Sequence, residues 1–383
     1  MSVKRRGKTE RLIFASTVYP SSRSETDALL LAESIRAFGG SLDQAPIWFL
    51  TPEVREQLSA AFKKKLLALG VSLIAFKIDD KFLDFPFAGD VFAAALTESK
   101  LLNQTRLLAW LGTNTFVVQE PKAFLLPDDK VLGFRPVHHT LIGSRYDEPV
   151  DGFWNLIYHL CNVPATRIFP MTTHIDGTRI RPYFNAGLLV TRPERSLLQA
   201  WRDTFLRIYQ EPSFQSFYQS DERYRIFLHQ TVLSGVILSK LKPSQIQELP
   251  ATYNYPVHLH TQDVTDNRPA CLEELVTFRH ERFYTDQKWT NNIPAKQPLK
   301  QWIAKRLPPC QQPQLHTNDR QNTNHKQHPT RTQNNIDAHG KQHSCARQTA
   351  PNRRKTTVKN RNSAQKTNRN TSQPPQKISP HTD

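Results

Sequence analysis

Residues 12–17 read LIFAST, a short apolar run that suits a strand buried on both faces. Ser24-Glu-Thr-Asp27 has the form of a capping box. Ala28, Leu31, Ala32, Ile35 and Phe38 follow at helical spacing, and Gly39-Gly40 ends that helix. Residues 47–50 (IWFL) predict a second strand. Thr51-Pro52 fits the N-cap and first turn of a helix with the apolar face Val54, Leu58, Ala61, Phe62, Leu66 and Leu69, closed by Gly70. Residues 71–76 (VSLIAF) predict a third strand, Val91, Ala94 and Ala95 open a third helix, and residues 107–111 (LLAWL) predict a fourth strand.

Strands alternating with helices imply an α/β fold, a mainly parallel sheet with helices on both faces. Ligands of such sheets lie beyond the carboxyl ends of the strands. Thr17, Tyr19 and the segment at Gly112 should therefore border a site. No G-x-G-x-x-G follows the first strand, which argues against a dinucleotide cofactor. After Thr115 the pattern loosens. Residues 181–190 (RPYFNAGLLV) read as a loop entering a strand, Leu197, Leu198, Trp201, Phe205 and Ile208 mark a helix, residues 224–241 mark another, and order fades after Trp302.

Charge changes the picture at the C-terminus. The chain has 383 residues and a formal charge of +17. Residues 309–383 hold 13 Lys and Arg against 3 Asp, so they carry +10 and leave +7 for the rest. That segment lacks Phe, Trp and Tyr and is rich in Gln and Asn, so it cannot bury enough apolar surface to offset its ordering entropy. The organisation expected is a basic extension at 1–10, one domain at 11–308, and a disordered low-complexity basic tail at 309–383. No run of 18 apolar residues marks a membrane span. Cys161, Cys271, Cys310 and Cys345 lie far apart with no C-x-x-C, which suits a reducing, cytoplasmic setting rather than a disulfide framework.

Four segments, in order, carry a resemblance. They are LLAWLGTNTFVVQEP (107–121), YFNAGLLVTRPE (183–194), HQTVLSGVI (229–237) and LPATYNYP (249–256). Together they resemble the GT-A-fold glycosyltransferases, in particular the glycogenin-like, retaining group. The resemblance implies a Rossmann-like GT-A sheet and transfer of a sugar from a nucleotide-diphosphate donor to a glycan, lipid or protein acceptor. It also implies roles. Gln230 falls where the group has a polar residue near the anomeric carbon. Asn185, Ala186 and Gly187 would contact donor sugar or acceptor, and Thr17 and Tyr19 would hold the nucleoside. Thr113 and Asn114 would border the diphosphate.

One departure matters. Where the group has Asp-x-Asp, holding manganese or magnesium on the diphosphate, this chain has Gly112-Thr113-Asn114. Glycine cannot ligate through a side chain, and a neutral amide is a poor partner for a hard cation. His258 falls near the group's late histidine ligand, without its usual flanking residues. Weak or absent metal dependence is therefore expected, with Arg135, Arg179 and Arg181 as candidates to balance the diphosphate charge. Asp147, Glu148, Asp151 and Asp176 are the carboxylates expected nearest the site. His258 and His260 would share one face of a strand, and Trp154 and Tyr158 stand one helical turn apart.

Two other functions fit the same residues. One is a catalytically inactive GT-A-like domain that binds sugar nucleotide or a partner. The other is association with nucleic acid through the basic tail, although the composition of that tail also fits translation in a shifted reading frame. Limited proteolysis of the full chain should remove residues 309–383 and leave a stable core. Protection of that whole segment would refute the expectation.

Overall fold

The computed structural model describes residues 11–281 and 289–306. The expectations for 1–10 and for residues 309–383 lie outside these.

Seven strands form the main sheet: β1 (Ile13–Thr17), β2 (Ile47–Pro52), β3 (Val71–Phe76), β4 (Leu108–Leu111), β6 (Leu132–Pro136), β9 (Phe184–Thr191) and β10 (Ile246–Glu248). A short ribbon pairs β7 (Met171–Thr172) with β8 (Arg179–Ile180), and Arg145 adds a single bridge to Ile180. A small sheet joins β11 (Tyr255–Pro256), β12 (Thr277–Arg279) and β5 (Thr115–Val117). The order in the main sheet is β10-β6-β9-β4-β1-β2-β3. β1 pairs in parallel with β2 and β4, β2 with β3, and β6 with β10, whereas β9 is antiparallel to both β4 and β6. This is the mixed, mainly parallel α/β sheet expected of a GT-A-like fold.

Helices cover both faces. Alternate residues of β1 enter different cores: Ile13 and Ala15 join one cluster, Leu12 and Phe14 the other. That is the burial an all-apolar strand needs. Helices α1 (Ser22–Phe38) and α2 (Ala60–Ala68) cover one face. On the other lie the short α3 (Asp80–Leu83), then α4 (Ala88–Leu101), α5 (Gly152–Leu160), α6 (Leu197–Ile208), α7 (Gln215–Ser220), α8 (Glu222–Ile226) and α9 (Leu228–Lys240).

Several expected boundaries shift. The N-cap of α1 is Ser21, whose hydroxyl accepts from the Ser24 N–H, and Ser24 instead accepts from the Tyr19 N–H at 2.9 Å. Thr51 and Pro52 extend β2 rather than opening a helix, and Ser59 caps α2. Beyond Leu50 the strand pairs with β3 alone, so the missing Pro52 N–H breaks no rung on the β1 side. The helix expected over 224–241 is two, α8 and α9, parted at Phe227. His258 and His260 lie in a 3-10 turn (Val257–Gln262), not a strand, so their side chains diverge. Among the described residues no helix is long and apolar enough to cross a membrane.

The small sheet packs its own apolar cluster beside the carboxyl edge of the main sheet, and α10 (Leu299–Ala304) adds Leu299 and Ile303 to it. β5 leaves β4 through the Gly112–Asn114 turn, and β12 returns antiparallel to it, pairing Arg279 with Thr115.

Gly235 of α9 packs against Cys161, which caps the end of α5. A Cβ there would lie 2.5 Å from Cys161 Sγ and 2.8 Å from Cys161 Cβ. Gly235→Ala gains about 1 kcal/mol of helix propensity. The clash should outweigh it, since overpacking costs roughly 1–3 kcal/mol. The urea midpoint should fall; an unchanged or higher midpoint would show that the helices part without cost.

Candidate functional site

Because β9 is reversed, its first residues lie at the carboxyl edge of its parallel neighbours. Leu188 pairs with Leu111 at the end of β4, and Phe184 with Pro136 at the end of β6. The Phe-Asn-Ala-Gly segment thereby meets the Gly112 turn, and the Gly112 N–H donates to the Gly187 carbonyl at 2.9 Å. The first turn of α9 closes on it from one side: Gln230 Oε1 accepts from the Ala186 N–H at 2.9 Å. Asn114, Asn185, Ala186, Gly187 and Gln230, which the sequence assigns to one site, therefore lie together at one edge.

Asn185 is buried, and its side chain is already engaged. Its Oδ1 accepts from the Gly187 N–H at 2.9 Å and from Arg279 Nη1 at 3.4 Å. Its Nδ2 lies 3.4 Å from His138 Nε2, which is also 3.2 Å from the Asn254 carbonyl. Burial, then Arg279, holds His138 well below the ordinary histidine pKa, so it is neutral near pH 7. Asn185 thus braces the loop from within.

At the other rim, Tyr19 follows β1. Its hydroxyl donates to Asp90 Oδ2 at 3.0 Å, over Gly89, where a Cβ would come within 2.4 Å of that hydroxyl. Only a glycine lets the phenol rest on the start of α4. Thr17 lies against the same carboxylate. Phe87, at φ 60°, leaves its ring exposed and stacked on His229, with centroids 4.4 Å apart. Burial lowers His229 to about 3, so it too is neutral. Thr113 sits partly exposed in the β4–β5 turn.

The arginines expected to balance charge are elsewhere. Arg135 is buried, paired with Glu248 at 2.7 Å and donating to the Leu249 carbonyl at 2.7 Å, which fastens β6 to the end of β10. Arg179 pairs with Asp147 at 2.6 Å. Arg181 donates to the Glu148 carbonyl at 2.7 Å and lines an open groove of about 680 Å³ with Tyr146 and Tyr158. The carboxylates expected nearest are occupied as well. Asp151 caps α5 through the Trp154 N–H at 2.9 Å, and Asp176 accepts from Thr173 and Thr140. Trp154, with Tyr158 beside it, is core.

Two residues that sequence reasoning missed replace them: Arg279 and Glu281, carried in by β12. The His280 N–H donates to the Asn114 carbonyl at 2.9 Å, so the end of β12 is tied to the turn itself. Asn114 Nδ2 donates to Glu281 Oε1 at 2.7 Å. The same oxygen takes Arg279 Nη2 at 3.2 Å, and Glu281 Oε2 lies 3.7 Å from Arg23 Nη2 at the start of α1. Burial alone would raise the Glu281 carboxyl, but Arg279, followed by His258, His280 and Arg23, holds it below its ordinary value. The alternation of TFRHE, placing Arg279 and Glu281 on one face, was the only sequence signal.

A divalent metal does not fit these residues. Gly112 has no side-chain ligand atom and its carbonyl accepts from the Thr115 N–H, the Asn114 amide is turned toward Glu281, and that carboxylate already neighbours two guanidiniums. Among the described residues no group of three or more His, Cys, Asp or Glu could hold a metal ion.

Burial raises Asp90 to about 6, above the 3.8 of an unhindered carboxyl, even with Tyr19 and Thr17 beside it. The folded state therefore binds a proton that the unfolded chain releases, and this contribution to stability falls as pH rises between those values. Asp90→Asn should remove that dependence and raise the melting temperature more at pH 7 than at pH 4. Parallel melting profiles for the two proteins would refute the shift.

A family model described as Rhodobacterales glycosyltransferase domain matches residues 15–240, well over half of the chain. No curated protein matches it. Among solved structures, an active-site mutant of LgtC is similar at 12% identity and TM-score 0.46, over 76% of this chain and 94% of that one. The galactosyltransferase LgtC in complex with donor and acceptor sugar analogs is similar at 13% and 0.44, over 76% and 99%. Mouse xyloside xylosyltransferase 1, apo form, is similar at 14% and 0.41, over 72% and 98%.

Proposed function

Since the chain belongs to this glycosyltransferase domain family, we propose that it binds a nucleotide-diphosphate sugar in the cleft at the carboxyl edge of β1 and β4 and transfers the sugar to an acceptor. The observation that carries this reading is the convergence of Tyr19, Asn114, Asn185, Gly187 and Gln230 from four separate elements on one edge of the sheet.

Each group has a distinct task. Tyr19, propped on α4, presents an aromatic face toward the nucleoside. The Gly112–Asn114 turn borders the diphosphate. Gln230, fixed by the Ala186 N–H, and Asn185, fixed by the Gly187 N–H, hold amide groups beside the sugar. A pre-positioned amide costs no reorganisation when the glycosidic bond lengthens. The leaving diphosphate must meet positive charge from side chains, because the residues present do not fit a metal. Cys161 and Cys271 are buried free thiols, in keeping with a reducing, cytoplasmic location.

A domain that binds the donor without turnover is the second reading, favoured by the loss of both carboxylates at Gly112 and Asn114. Thermal shift with a panel of nucleotide sugars, followed by assay of nucleoside diphosphate release, separates the two. One donor should raise the melting temperature by mass action. Asn185→Ala should cost about 1–3 kcal/mol of stability, because it leaves the Gly187 N–H without its acceptor. It should also weaken donor binding at least tenfold at a temperature where the variant stays folded. No shift with any nucleotide sugar would overturn the proposal, and a shift without release would select the second reading.

A further inference from the structure

We infer that the Arg279 guanidinium, braced by Asn185 and Glu281 and seconded by Arg23, is the cation that receives the diphosphate of the donor, making the site a metal-free one. This rests on the function proposed above and adds what that reading leaves open: the positive charge at the mouth of β4.

Position comes first. Arg279 pairs with Thr115, one residue beyond the Gly112–Asn114 turn, so β12 delivers its side chain to the place where the family pattern has carboxylates. The guanidinium lies over β9 at Gly187. A Cβ on Gly187 would stand 2.6 Å from Arg279 Nη1 and 3.2 Å from its Cζ. The glycine of the Phe-Asn-Ala-Gly segment therefore makes room for an arginine of this chain, a use different from the close ligand approach expected of it.

Unspent donors come second. A guanidinium has five N–H groups in a rigid fork. Among the described residues Arg279 uses two, both in long bonds: 3.4 Å to Asn185 Oδ1 and 3.2 Å to Glu281 Oε1. Its Nε is buried with no hydrogen-bond partner among them. A buried, unmet N–H on a charged group is costly unless a ligand meets it. Planar guanidinium matches two phosphate oxygens at once, which a point cation does not.

Surroundings come third. His138 and His229 near Arg279 are neutral, held so by burial and by the guanidinium's own charge. Glu281 aligns the arginine and offsets part of its charge. Arg23 is looser, 3.7 Å from Glu281 and 3.9 Å from Asp27, beyond hydrogen-bond length to either, so it can turn toward an arriving anion.

The test is isothermal titration of the full-length protein with UDP, GDP, ADP and CDP, in EDTA and in manganese, at two salt concentrations. At least one nucleoside diphosphate should bind equally in EDTA and in manganese, more weakly at high salt. Arg279→Gln should weaken that diphosphate ten- to a hundredfold in EDTA while leaving the parent nucleoside unaffected, and Arg279→Lys should recover part of the loss. Circular dichroism confirms that both variants fold; if Arg279→Gln does not, Arg279→Lys carries the comparison. Gly187→Ala, which displaces the guanidinium, should mimic Arg279→Gln. Binding that requires manganese, or equal affinity in the wild type and both Arg279 variants, overturns this inference while the proposed function stands. Failure of every nucleoside diphosphate to bind in either condition overturns both.

Discussion

Strand β9 runs against its parallel neighbours, and the pairing of Leu188 with Leu111 and of Phe184 with Pro136 sets what the edge of the sheet can present. Were β9 parallel, Asn185 and Gly187 would lie at the amino edge, far from the Gly112 turn. Reversal brings the start of one strand to the end of another, and the Gly112 N–H to Gly187 carbonyl bond locks the two together. Three further side chains are fastened around that joint. Gln230 is held by Ala186, Asn185 by Gly187, and Arg279 lies in the space that Gly187 leaves.

Electrostatics in the cleft follows from burial. His138, His229 and His280 are all pressed toward neutrality, chiefly by loss of water. Asp90 is pushed the same way, toward its uncharged form. The charges that persist are those with a partner: Glu281 between Arg279 and Arg23, and Arg23 also beside Asp27. Desolvation removes lone charges and spares paired ones. Among these groups the positive charge therefore rests on the two arginines and not on His138, His229 or His280.

The supporting contacts show how a substituted motif can remain structurally coherent. Asn114 does not hang unused where a carboxylate stands in the related pattern; its amide ties the β4 turn to Glu281, and its carbonyl takes the His280 N–H. A Cβ at Gly112 would meet Asn114 Oδ1 at 2.8 Å, so the two positions are matched to each other as well. Gly112, Asn114 and the end of β12 therefore form one unit, and a change at any of them is felt at Arg279.

Local pattern determined β1, β3, β4, α4 and α6, because an apolar run with punctuation at each end has one sensible burial whatever lies around it. The alternation of these elements determined the sheet class, and motif order placed Asn185 and Gln230 at one edge. Segments whose shape depends on a distant partner were not legible. Thr51-Pro52 has the local chemistry of a helix start, yet β3 alongside draws it into the sheet. Arg135, Arg179 and Arg181 have the right chemistry for phosphate, but Glu248, Asp147 and the Glu148 carbonyl, in that order, had already claimed them. Arg279 and Glu281 are far from Asn114 in sequence, Glu281 by 167 positions, and carry no motif. Only the register of β12 on β5 brings them to the turn, and register is a property of the folded sheet, which no short stretch of sequence contains.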